Sequence, residues 1–223
     1  MSGSYLSQLL HGLAVTAEIT AFAAVLATLL AVIGGVGLAS PNFLLRGVSR
    51  FYVEIFRGTS LLVQLFWIYY VLPSFGLSLD PFAAGVAAIA LNSGAYGAEA
   101  VRGAISALPR GQWEAAKALG LPRRVTLHKV ILPQACIFLL PQWGNFLIES
   151  MKATAVVSFI SIMDLSFVGY QINARTFDTI TVYGLVLLIY FAFSQIIVVP
   201  ARAAERRYRL RGIQTASRAE RAA

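Results

Sequence analysis

PRGQWEAAKALGLPRRVTLHKVILPQA, residues 109–135, is the one long polar stretch of an otherwise apolar chain, and it reads as two short helices meeting at a corner. Residues 114–119 are good helix formers. Gly120 is the residue preferred in the left-handed cap that ends a helix, and Pro122 suits the first turn of the next one. Trp113, Ala116 and Leu119 recur at helical spacing and give an apolar face. Arg110, Lys117, Arg123, Arg124 and Lys129 form a basic rim in which Glu114 is the only acid. The stretch is thus a compact, bent helical knob. Its composition also suits an amphipathic hairpin lying on anionic lipid.

Outward from the knob both flanks are hydrophobic. The 223-residue chain is 58% hydrophobic and only 13% charged, with a mean hydropathy of +0.72, outside the range of typical water-soluble domains. A helix needs about 20 mostly apolar residues to cross roughly 30 Å of hydrocarbon. Five stretches meet that need, at about 12–39, 51–72, 81–101, 136–170 and 179–201. The expectation is an all-α, polytopic transmembrane helical bundle of about five spans, one domain over 1–223, with a polar loop at 102–133 and a basic tail at 202–223. The first 20 residues contain no Lys or Arg, and the apolar run after them is too long for a signal-peptide core, so 12–39 reads as a retained span. The single cysteine, Cys136, has no partner for an intrachain disulfide and reads as a small core residue.

Five spans place the termini on opposite sides, and basic residues say which side is which. Of the 18 Lys and Arg residues, all but Lys152 and Arg175 fall on one side. The loop 102–133 and the C-terminal tail are therefore expected in the cytoplasm, and the N-terminus outside. The net charge of +8 is accounted for by this topology. Nucleic-acid binding would need the basic residues on one soluble face beside base-reading elements, and the sequence has none.

The knob resembles the EAA loop of binding-protein-dependent ABC importer permeases. Glu114, Ala115, Ala116, Gly120, Leu132 and Pro133 stand in that family's register, with Val130 where the family pattern has Ile. The stretches YVEIFRGTSLLVQLFW (52–67), LNSGAYGAEAVRGAI (91–105) and KATAVVSFISIMDLSFVG (152–169) are similar to the polar amino acid permeases, the histidine, glutamine, arginine, opine and ectoine type. The resemblance covers about residues 10–210. It implies a type I importer permease fold in a bacterial inner membrane, with the knob as the coupling helix that enters a cleft on an ABC ATPase subunit. It further implies a pair of ATPases that use ATP and Mg, a second permease chain, identical or paralogous, and an extracytoplasmic solute-binding protein. Polar amino acids lead as cargo, with opines or ectoine-like solutes as alternatives.

Charges inside the bilayer cost about 2.5 to 3.5 kcal/mol each, so those in the apolar stretches need partners or water. Asn92, Tyr96 and Glu99 share one helical face and can line a cavity. With Ser158 and Asp164 they offer the acids and hydrogen-bonding groups that a zwitterionic substrate requires, although the same groups also suit interhelical hydrogen bonding. Glu149 and Lys152, one turn apart, read as a structural ion pair. Arg57 is a candidate inner gate or an orientation anchor.

The absence of a GxxxxGK[ST] phosphate loop assigns ATP hydrolysis to a partner and leaves this chain without a bound cofactor of its own. His11 and His128 are the only histidines and form no HExxH motif, and Ser150 and Lys152, two apart, do not share a helical face. The expectation is a non-enzymatic subunit. The rival is an ATP-independent secondary transporter or channel, which commonly shows paired repeats with broken helices. No internal repeat is visible.

Overall fold

The computed structural model describes residues 3–220, with side chains placed over residues 5–203 except Pro141. The basic tail is therefore only partly described, and residues 221–223 lie outside the described residues. Every described element is helical. The chain opens with α1 (Gly3–Leu38), which begins well before the expected residue 12. Asn42 then accepts a hydrogen bond from Leu44 N (2.9 Å) and starts α2 (Phe43–Gly58).

The expected span 51–72 is not one helix. α2 ends at Gly58, Thr59 and Ser60 are extended, and α3 (Leu61–Phe66) restarts the chain. A π turn (Trp67–Val71) and a 3-10 turn (Leu72–Phe75) continue α3, and the whole is bent by 106° relative to α2. The cause is local, since a Gly-Thr-Ser run favours extended and capping conformations over helix interior. Asp80 caps α4 (Pro81–Ser106), its carboxylate accepting from Ala83 N, and the helix runs past the expected end of the span at 101 to take in Arg102.

α5 (Arg110–Ala118) and α6 (Arg123–Val125) form the knob. A π turn over Thr126–Ile131 joins it to α7 (Leu132–Ala153), so Leu132 and Pro133 occupy the first turn of α7. The expected span 136–170 is likewise interrupted. α7 gives way to a 3-10 turn (Thr154–Ile160), Ser161 adopts a left-handed φ of 63°, and Asp164 caps a new helix, α8 (Leu165–Thr176). α9 (Thr179–Glu220) closes the described chain. By length and composition two helices can each cross a bilayer, or up to four if each bent pair is one span. α4 is the interior member, diluted by Asn92, Ser93, Tyr96, Glu99 and Arg102 and in contact with α1, α2 and α7.

The main seam joins α1 to α4. Ala23, Ala27 and Ala31 of α1 are fully buried, as are Ala84, Ala88, Ala90, Ala95 and Ala98 of α4. In a membrane such small residues let backbones approach, and dispersion replaces the missing hydrophobic drive. Gly35 shows how tight the approach is: a Cβ there would lie 2.5 Å from Val101 Cβ and 2.7 Å from Ala98 O. The stripe Ala90, Gly94 and Ala98 closes against α1 and α2 of the same chain, Gly94 lying under Leu30 and the Tyr52 hydroxyl. Cys136 departs from the sequence reading, for it is exposed rather than core.

Candidate coupling surface and polar pathway

The knob is a capped corner. Gly120 takes φ +69°, Gly120 N donates to Lys117 O and Leu121 N to Ala116 O, both at 3.0 Å. This pair of bonds is the Schellman closure, and it satisfies carbonyls that the end of α5 leaves unpaired. Across the corner the Arg123 guanidinium lies 5.9 Å from the centre of the Trp113 ring. Gln134 Nε2 donates to Gln112 Oε1 (3.2 Å) and Val130 O (2.9 Å), fastening α5 to the start of α7.

The expected apolar face divides. Ala116 is buried and Trp113 packs on the cluster of Val101, Ile105, Leu108 and Ile131, joined by Val130 and Leu132. Leu119 instead projects outward, 76% exposed, beside the exposed Glu114 and Ala115. One side of the knob is therefore locked to α4 and α7, and the other is free for a partner. The downstream apolar positions of the EAA pattern belong to the locked side.

At the break between α2 and α3, backbone groups left without helical partners are met by side chains. Gln64 Nε2 reaches Phe56 O (2.9 Å), Thr59 O (3.2 Å) and Thr59 Oγ1 (2.7 Å), and Asn92 Nδ2 donates to Phe56 O (2.9 Å) and Gln64 Oε1 (3.2 Å). Tyr52 also ties α2 to α4, its hydroxyl donating to Leu91 O at 2.8 Å. Asn92, Tyr96 and Glu99 do share a face, but α2 occupies much of it. Arg57 NH1 sits 3.7 Å from Glu99 Oε1 with its guanidinium 5.2 Å from the Tyr96 ring centre, and Arg102 bonds Glu99 Oε2 at 2.7 Å. Two arginines thus surround one carboxylate at the end of α2.

Asp164 is fully buried and acts as a helix cap, accepting from Phe167 N (2.9 Å) and Ser166 N (3.2 Å), with the Tyr190 hydroxyl at 3.4 Å. Leu165 N donates to Thr16 Oγ1 (3.1 Å), which pins the same corner to α1. Ser158 is spent locally on Ala155 O at 2.7 Å. Both residues thereby hold the interrupted span in shape, Asp164 sealed from the surface and Ser158 partly exposed.

Glu149 and Lys152 do not pair with each other. Both are exposed, Glu149 over a hollow of about 220 Å³ lined also by Tyr96, Trp143 and Phe146, and Lys152 in a groove of about 450 Å³ against Tyr190 and Ser194 of α9. The hollow and the groove lie on opposite flanks of α7, which draws the two side chains apart. With Gln142 and Asn145 they form a polar stripe at spacings of three, four and three along a helix that is otherwise apolar. That stripe was legible in the sequence as a helical face; reading Glu149 and Lys152 as a closed pair concealed it. Gln64 and Tyr52 carried no such signal, because their partners, the Phe56 and Thr59 groups at the break and the Leu91 carbonyl of α4, are brought to them only by the fold.

Over residues 13–210 the chain matches the model of the binding-protein-dependent transport system inner membrane component. The chain belongs to that family. It is 43% identical over 199 residues to a probable amino-acid ABC transporter permease protein, y4tF, of Sinorhizobium fredii, covering 86% of this chain and 84% of the relative. The arginine transport system permease protein ArtQ of Bacillus subtilis is 34% identical, with 89% and 91% covered, and the glutamine transport system permease protein GlnP of Escherichia coli K12 is 38% identical, with 73% and 75% covered. Among solved structures, an amino acid ABC transporter crystallised with histidines superposes with a TM-score of 0.83 at 35% identity, covering 92% of this chain and 95% of the other. The inward-facing MetNI methionine transporter shares the fold, with a TM-score of 0.82 at 21% identity. The permease is thus a multi-pass membrane subunit of an ABC importer, a family that works with ATPase subunits and binding proteins.

Proposed function

We propose that this permease carries polar amino acids or amino-acid-like solutes across the inner membrane by alternating access, with its knob as the mechanical link to a separate ATPase. The observation that carries the reading is the capped corner at Gly120, which presents Glu114, Ala115 and Leu119 outward from a base packed on α4 and α7. A protrusion that transmits force must not deform under load, and the Schellman closure, the Trp113–Arg123 stack and the Gln112–Gln134 bond all stiffen this one. In this reading the knob and tail are cytoplasmic and the N-terminus external. ATP and Mg act on a pair of ATPase subunits, a second permease chain completes the transmembrane unit, and an extracytoplasmic binding protein delivers the solute. This chain itself is non-catalytic.

The pathway runs along the stripe of α7 with Tyr96 and the Arg57–Glu99 pair at its margin. Of the residues expected there, Tyr96 and Glu99 remain candidates, while Asn92, Ser158 and Asp164 serve the helix breaks. Arg57, at the end of α2, is the gate in this reading, and its 3.7 Å contact with Glu99 supports that role. The test is uptake of labelled arginine, glutamine, cystine and histidine into proteoliposomes holding the permease, its ATPase and its binding protein. ATP-dependent uptake of at least one, lost on removing the ATPase, supports the reading. Undiminished uptake without the ATPase overturns it in favour of a secondary transporter or channel.

A further inference from the structure

α2 (Phe43–Gly58) carries three different faces along its length. At about 3.6 residues per turn, Leu44, Val48, Phe51 and Ile55 line one face, and all four are exposed. Ser49, Tyr52, Val53 and Phe56 line a second face that packs on α1 and α4, with Ser49 against Gly37 and Val53 clustered with Ala95 and Ala98. Arg46, Arg50, Glu54 and Arg57, one turn apart from each to the next, line the third face and are exposed. A helix that crosses a bilayer keeps its charges near its ends, whereas α2 spreads them over about 16 Å, and its exposed apolar face is as long. Both faces are satisfied together only when the helix axis lies along the membrane surface, with the apolar side among acyl chains and the charged side towards water. The break at Thr59 and Ser60 gives α2 this direction. The path through α3 and its turns leaves α2 at 106°, so a path that enters the bilayer there leaves α2 running along its surface.

The charged face holds three arginines and one acid. Arg57 is engaged by Glu99 and Arg50 by Glu54, and among the described residues Arg46 makes no ion pair. Arg50 stays 72% exposed beside Glu54, so its guanidinium has donors to spare. Gly47 and Gly58 lie on the border between the charged and the apolar face, and a Cβ on either meets no atom within 4 Å. The level at which headgroups sit is therefore unobstructed. We propose that α2 is an in-plane helix rather than part of a span, and that Arg46 and Arg50 bind the phosphates of anionic phospholipids in the leaflet where it lies. Guanidinium forks match phosphate oxygens, and the excess of positive charge selects anionic over zwitterionic headgroups. One lipid satisfies both open faces, with its phosphate on the arginines and its acyl chains on Leu44, Val48, Phe51 and Ile55. The inference rests on the membrane placement of the chain and is indifferent to its cargo.

The test uses the full-length permease in phosphatidylcholine nanodiscs, with a fluorophore on Gly47→Cys in a Cys136→Ala background. A small, equal fraction of headgroup-spin-labelled phosphatidylglycerol or phosphatidylcholine serves as quencher. Phosphatidylglycerol is preferred at this label by at least about fivefold, the effect of one arginine at an anionic surface. Arg46→Gln with Arg50→Gln brings the preference below about twofold, while Arg110→Gln with Arg124→Gln, an equal loss of charge on the knob, leaves it within about twofold of the parent. No preference in the parent, a preference that survives loss of Arg46 and Arg50, or an equal loss in the knob variant overturns the inference. A label at position 47 that neither lipid quenches means that protein covers the face, and overturns it as well. Depth decides independently: labels on Leu44→Cys and Ile55→Cys are quenched best by the same shallow acyl-chain nitroxide, and a depth difference approaching about 16 Å makes α2 a span and refutes the in-plane placement.

Discussion

Replacing Gly120 isolates one physical quantity, the free energy of a left-handed residue at the knob's corner. Gly120 has φ +69°, and a Cβ built on it meets no atom within 4 Å, so a side chain there causes no clash and its whole cost is conformational. An L-residue in this region costs roughly 1–2 kcal/mol, and a β-branched one more. The two closing bonds, Gly120 N to Lys117 O and Leu121 N to Ala116 O, contribute about 0.5–1.5 kcal/mol each, so the strain is comparable with what holds the corner. With each 1.4 kcal/mol worth about tenfold, Gly120→Ala lowers the ratio of bent to unbent knobs about tenfold, leaving about half of them bent where strain and closing bonds balance, and Gly120→Val lowers it further. Asn tolerates the left-handed region, so Gly120→Asn loses only about threefold or less. The assay is ATP-driven solute uptake normalised to permease inserted in the membrane, with ATPase stimulation measured in parallel. Insertion stays at the wild-type level in all three variants, and activity falls in the order Gly, Asn, Ala, Val. Wild-type uptake by Gly120→Val, or an Asn variant as impaired as Val, refutes the reasoning.

Asp164→Ala removes the cap of α8 and its bonds to Phe167 N and Ser166 N, at a cost of about 0.5–2 kcal/mol, while Asp164→Asn keeps an acceptor and loses less; thermal unfolding in detergent resolves the two. Gln64→Leu strips the Thr59 carbonyl of its side-chain donor and leaves Asn92 alone on Phe56 O, costing about 1–3 kcal/mol and opening the bend, which is read as faster proteolysis near residues 58–61. Gly35→Val drives a side chain into Val101 and Ala98 O and costs about 1–3 kcal/mol or more, read as lost folded yield; Gly103→Val, where a Cβ meets nothing within 4 Å, is the matched control.

The membrane class of the protein and the bent shape of its knob follow from residues taken in order along the chain. Runs of apolar residues long enough for a bilayer follow from composition, and the knob follows from short-range rules, so Gly120 could be assigned its left-handed turn from its place after residues 114–119. Both depend on neighbours a few residues apart. The tertiary structure decided what long-range packing controls. It cut two of the five expected spans at Gly58–Ser60 and after Ala153, because Gln64, Asn92, Thr16 and Asp164 supply hydrogen bonds that make broken helices tolerable, and such partners come from elsewhere in the chain. It turned Asp164 from a pathway candidate into a buried cap. It also separated Glu149 from Lys152, since helical spacing says that two residues can meet, whereas the hollows on either side of α7 decide that they do not.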